Sequence, residues 1–179
     1  MSSTATQLLP LVGAASIAVG ATVVLVVRRS AAPRRDARRS ASIARDVLLG
    51  ISVVAVVVVT LMPSPGVASS RELVNLVPLR TISSLVGESV DAAVPLRNVV
   101  LNVLLFVPFG FLVGLRTRAD RRVAVACAAG VALSLVIEGV QWLALPGRAV
   151  DVDDVLLNTV GAVSGALVAA LASRAPRRG

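Results

Sequence analysis

The sequence predicts an all-α, polytopic transmembrane helical bundle with five spans, and three observations carry that reading. Of its 179 residues, 56% are hydrophobic and only 16% charged, more apolar mass than one soluble core of that length hides. The apolar residues fall in continuous runs close to the roughly 20 residues needed to cross a hydrocarbon core about 30 Å thick. The runs do not alternate apolar and polar side chains over about 10 residues, as the strands of a transmembrane barrel must.

The five runs follow in order. Residues 8–27 carry no charge, residues 47–62 are shorter but unbroken, and residues 99–115 form the third. Residues 123–145 contain one acid, Glu138, and residues 155–173 contain one amide, Asn158. The connection from Pro63 to Arg97 is long. Within residues 73–90 it mixes apolar and polar groups around Pro78 and Gly87, a pattern that predicts a short helix lying in the membrane interface. The domain reading that results is a first span with its arginine-rich loop over 1–46, a helical bundle over 47–173, and a basic tail over 174–179. Residues 28–45 read as a solvated linker.

All eighteen basic residues are arginines, and the net charge is +8. In a soluble chain that excess would raise nucleic acid as a partner, but the apolar runs make that the weaker reading here. Topology explains the charge instead. Arg28, Arg29, Arg34, Arg35, Arg38, Arg39 and Arg45 fill the first connection; Arg116, Arg118, Arg121 and Arg122 fill the third; Arg174, Arg177 and Arg178 end the chain. Short arginine-rich flanks stay cytoplasmic, so the other two connections face outward. The first seven residues carry no basic side chain, the reverse of a cleavable signal, which predicts an uncleaved first span with its N-terminus outside and the C-terminus in the cytoplasm. A second use of the 28–45 arginines is binding of anionic lipid headgroups.

With no His and one Cys, the chain has no internal disulfide, no Cys/His zinc site and no histidine base. The informative residues are polar groups inside spans. A carboxyl such as Glu138 is costly there unless it faces protein or water and finds a partner. Ala126, Gly130 and Ser134 precede it at intervals of four, so a small-residue stripe ends on the acid and predicts a helix-packing face. Gln141 shares that side. Asn98, Asn102, Phe106, Gly110 and Gly114 repeat the same interval in the third span, where Pro108 removes a backbone donor and predicts a kink. The last span opens with Asp151, Asp153 and Asp154, followed by Asn158, Gly161 and Gly165. Because adjacent spans run antiparallel, Asn98, Asn102, Glu138, Gln141, Asp151, Asp154 and Asn158 all fall near one membrane face. Each also has a plainer reading: the aspartates as an N-cap and first turn, the amides as interhelical contacts, and Glu138 as one half of an ion pair with Arg80 or Arg148.

Four blocks in order carry a family resemblance: Asn75-Leu76-Val77-Pro78-Leu79-Arg80; Asn102 with Phe106-Val107-Pro108-Phe109-Gly110-Phe111; Ser134 with Glu138 and Gln141; and Arg148, Asp151, Asp154, Asn158 and Gly161. Over residues 73–172 the chain resembles the VanZ-like bacterial membrane proteins. It departs from the pattern at Leu79, where an aromatic is expected, and at Ala149 and Val150. The resemblance implies an integral protein of the bacterial plasma membrane and a link to low-level teicoplanin resistance. It adds Asn75 to the candidate residues and supplies no reaction.

Three functions compete. In the first, Arg80 and Arg148 join Asn75, Asn102, Glu138, Gln141, Asp151, Asp154 and Asn158 in a pocket for an anionic or glycosylated envelope lipid, such as a lipid-linked cell-wall precursor. The second is a membrane-embedded enzyme in which Glu138 or Asp154 is a general base, or Asp151, Asp153 and Asp154 hold a divalent cation. The chain offers no nucleophile-and-base pair and no phosphate-cradling glycine loop, so the reading leans away from catalysis, with no catalytic residue, metal or cofactor assigned. The third is a proton-coupled lipid transporter in which Glu138 cycles between charged and neutral forms.

Overall fold

The computed structural model describes residues 36–61, 74–75, 77–78, 93–144 and 150–174. The chain divides into two compact units, Met1–Pro65 and Gly66–Gly179. Four helices among the described residues are long and apolar enough to cross a membrane. They correspond to the second through fifth apolar runs; the first, residues 8–27, lies outside the described residues, so five spans are not supported.

In the first unit, α1 (Asp36–Leu61) is 26 residues long, about 39 Å at helical rise. That exceeds the hydrocarbon thickness, and only Ser40–Thr60 qualifies as the span. The helix therefore starts well before the apolar run, and the expectation of a solvated linker through Arg45 is corrected: Arg38, Arg39 and Arg45 are helical. Arginine and alanine are both strong helix formers, and Asp36 in the first turn suits the positive end of the helix dipole. Arg45 folds back to donate from Nε to the Ala41 carbonyl at 3.2 Å. Thr60 satisfies its hydroxyl by donating to the Val56 carbonyl at 2.7 Å.

The second unit is built from α2 (Ala93–Arg116), α3 (Arg122–Ala144) and α4 (Val152–Arg174). A short turn between α2 and α3 reverses the chain, closed by Thr117 N–H on the Gly114 carbonyl at 3.4 Å and Arg121 N–H on the Arg118 carbonyl at 3.1 Å. Asp120 lies between Arg118 and Arg121 at 3.7 and 3.9 Å. These pairs are exposed, so their worth is small. Helix α2 runs unbroken through Pro108, which leaves the Leu104 carbonyl without its usual amide partner.

Glycine sets how closely α2 and α4 approach. A Cβ on Gly110 would overlap the Ala162 backbone, one on Gly161 would overlap the Val103 carbonyl, and one on Gly165 the Val107 carbonyl. Gly114 faces Ala166 and Ala169, and a Cβ on Gly130 of α3 would stand 2.8 Å from the Ala162 methyl. Contact of this kind drives helix association where lipid offers no hydrophobic gain. Phe106 is fully buried and meets Phe109 edge to face, with ring centroids 5.9 Å apart. Large apolar residues such as Leu104, Val136, Leu143 and Leu171 point outward, Leu143 at 78% exposure. This inverts the soluble pattern and suits acyl chains as surroundings.

At one end of this unit, β1 (Val74–Asn75) pairs in parallel with β2 (Val150–Asp151), Val74 opposite Val150 and Asn75 opposite Asp151. The expected interfacial helix over 73–90 is thereby corrected at its start, where the backbone is extended; residues 79–90 lie outside the described residues. The connections before α2 and before α4 are thus tied together by a single backbone pairing. At the opposite end, Arg122 bridges α3 and α4, its Nη1 donating to the Ala169 carbonyl at 3.2 Å and to Ser173 Oγ at 3.1 Å. A cation there suits the negative end of the α4 dipole.

A buried polar nest where three helices meet

The N-terminal half of α2, the end of α3 and the start of α4 bring polar side chains together beside the β1–β2 pairing. Glu138, on the last two turns of α3, is 4% exposed, and its Oε2 accepts the Asp151 backbone N–H at 3.2 Å. The small stripe Ala126, Gly130 and Ser134 leads to it, and Ala126, Gly130 and Ser134 are all buried, so the acid faces protein and not acyl chains. Gln141, three residues on, is equally buried.

Asp151 is the junction of the site. It pairs with Asn75 across the strands, its Oδ1 accepts the Asp153 N–H at 3.0 Å, and its own N–H serves Glu138. The second of these is an N-cap, a carboxylate satisfying a free amide in the first turn of a helix. Asp154 accepts a hydrogen bond from Asn102 Nδ2 and so joins α4 to α2. One turn deeper on α4, Asn158 Nδ2 donates to Ser134 Oγ on α3 at 2.8 Å. The nest therefore has two rungs: carboxylates and the Asn102 amide above, the Ser134–Asn158 pair below. Asn158 lies six residues inside α4, about 9 Å along the axis.

Asn158 is 2% exposed, and its Oδ1 finds no hydrogen-bond partner. Buried acceptors of this kind are uncommon. The two arginines of the candidate set, Arg80 and Arg148, lie outside the described residues, as does the side chain of Asn75, of which only the backbone pairing is seen. Asn102, Glu138, Gln141, Asp151, Asp154 and Asn158 are brought to one end of the bundle.

Two further residues belong to this cluster. Asp153 is among the most deeply buried side chains, at 2% exposure, yet it does not stand out beside its neighbours in sequence. A signal is there to be read: Asp153, Leu157, Gly161 and Gly165 recur every four residues along the buried face of α4. Ser134, which the sequence places in the small-residue stripe and in the block with Glu138 and Gln141, is the partner of Asn158. Among the described residues no three His, Cys, Asp or Glu side chains form a group that could hold a metal ion, which removes support for a cation held by Asp151, Asp153 and Asp154.

Comparison with curated proteins and with solved structures finds no significant match. A family model described as VanZ/LLP1 matches residues 49–173, from the second half of α1 to the last turn of α4. The matched stretch contains every helix of the three-helix unit and the whole polar nest, and on that extent the chain belongs to the VanZ/LLP1 family.

Proposed function

We propose that this protein spans the bacterial plasma membrane five times, residues 8–27 supplying the fifth span, with its N-terminus outside and its C-terminus in the cytoplasm. The polar nest then lies just beneath the external headgroups and binds an anionic or glycosylated envelope lipid, a lipid-linked cell-wall precursor being the candidate class. The orientation rests on arginines: Arg116, Arg118, Arg121, Arg122 and Arg174 all stand at the end of the bundle opposite the nest.

The single observation that carries the binding reading is Glu138, a carboxylate 4% exposed within a span that accepts a backbone N–H from the connection leading into α4. An intramembrane acid is expensive and marks a functional site by default. Here it is joined by Asn102, Gln141, Asp154 and Asn158, more hydrogen-bonding capacity than three helices need to adhere. Arg80 and Arg148, from the two outward connections, supply bidentate donors to a phosphate or to the carboxylates. Binding and sequestering such a lipid at the outer leaflet provides a route to reduced glycopeptide susceptibility. Retention of phosphatidic acid by the purified protein, with and without Arg80→Ala and Arg148→Ala, tests the reading. A loss of about tenfold or more is expected for the double variant; equal retention would refute the binding site.

A further inference from the structure

We infer that Asn158 Oδ1 selects a hydroxyl-bearing headgroup, a sugar carried on a lipid, as the innermost contact of the nest; this rests on the lipid-binding reading above and specifies its ligand. Asn158 has two polar ends, and the bundle uses one. Its Nδ2 donates to Ser134 Oγ at 2.8 Å. Its Oδ1 is left buried and unpartnered in a side chain 2% exposed.

An amide oxygen can only accept, so whatever completes it must bring an N–H or O–H group. A phosphate or carboxylate oxygen offers none and would be repelled. An ammonium offers donors but carries its full charge about 9 Å below the start of α4, where removing it from water costs far more than removing a neutral hydroxyl. A hydroxyl fits both demands. The rung above is also made of acceptors: Asp154 stands one turn nearer the headgroups on α4, and Glu138 one turn nearer them on α3. A sugar ring presents several hydroxyls at that spacing, whereas a diacylglycerol presents one.

The test uses the full-length protein in nanodiscs of phosphatidylethanolamine and phosphatidylglycerol doped with monoglucosyl diacylglycerol, chain-matched diacylglycerol or phosphatidic acid, with bound lipid counted by native mass spectrometry. Wild type is expected to retain the glucosyl lipid about tenfold better than diacylglycerol. Asn158→Leu should bring that ratio within about twofold, while Asn158→Asp, which keeps an acceptor, and Ser134→Ala, which leaves Oδ1 in place, preserve the preference. A series of monodeoxy glucosyl lipids on unmodified protein needs no variant to fold: at least one should lose the preference. Equal retention of every deoxy lipid, an undiminished preference in Asn158→Leu, or no preference in wild type would overturn the inference, as would a structure with glucosyl lipid bound and only water on Oδ1. Displacement by free glucose at equal concentration would overturn the lipid-borne source. If phosphatidic acid is still retained through Arg80 and Arg148 while the sugar is ignored, this inference fails and the binding reading stands; if no doped lipid is retained, both fail.

Discussion

At the scale of single residues, the hydrogen bonds of the nest can be probed one at a time. Truncating Glu138 to Ala removes the acceptor of the part-buried Asp151 N–H, at an expected cost of about 1–3 kcal/mol. Glu138→Gln keeps an acceptor and should lose less than half of that, as read from thermal unfolding in one detergent. The Asn102–Asp154 bond is the interhelical pair best suited to a double-mutant cycle with Asn102→Ala and Asp154→Ala. A coupling of about 0.5–2 kcal/mol is expected, in the range of interhelical hydrogen bonds in membranes; additivity within error would mean that each side chain acts alone. Much of this is legible in the sequence, because an amide or carboxyl in an apolar run is conspicuous and because antiparallel helices put Asn102, Glu138 and Asn158 at one end. Asp153 is not, since in a run of three aspartates only the four-residue interval to Leu157 separates the buried one from its exposed look.

Among the elements, α2 and α4 define the architecture through backbone contact at glycine. Gly161→Ala and Gly165→Ala would drive a methyl into the carbonyls of Val103 and Val107, and each is expected to destabilise the bundle by about 2–3 kcal/mol. A methyl placed on Gly139 of α3 would meet nothing within 4 Å, so Gly139→Ala should be neutral or stabilising by up to about 1 kcal/mol, from helix propensity alone. Similar losses at all three positions, measured by thermal unfolding, would show that the glycines matter for helix bending and not for approach. The helices themselves are readable from hydropathy, because crossing a bilayer demands length and little else. The start of α1 is not: arginines that read as a solvated linker are also good helix formers, and hydropathy is blind to a helix that continues past the membrane edge. The strands escape notice because two residues carry no period, and nothing local to Val74–Asn75 says that Val150–Asp151 will lie alongside.

For the molecule as a whole, charge asymmetry predicts the insertion. Cysteine substitutions at Ala119 and Gly179, in a chain with Cys127→Ala, are expected to react with a membrane-impermeant maleimide only after the cells are opened, and a cysteine at Ser3 before it. Labelling of Ala119→Cys in intact cells would invert the bundle and put the nest at the inner leaflet. Hydropathy alone says that polar groups gather at one face; only the distribution of arginines says which face that is.

The backbone pairing of Asn75 with Asp151 bears on how the site can open. Asp151 also caps α4 and holds Glu138 by its amide, so a tug on the segment before α2 is felt at once by the mouth of α4 and by the acid beneath it. Peeling that seam would loosen all three together, like a drawstring, whereas the glycine seam deeper down would stay shut. Hydrogen exchange should then find the amides of Asp151 and Asp153 opening in concert.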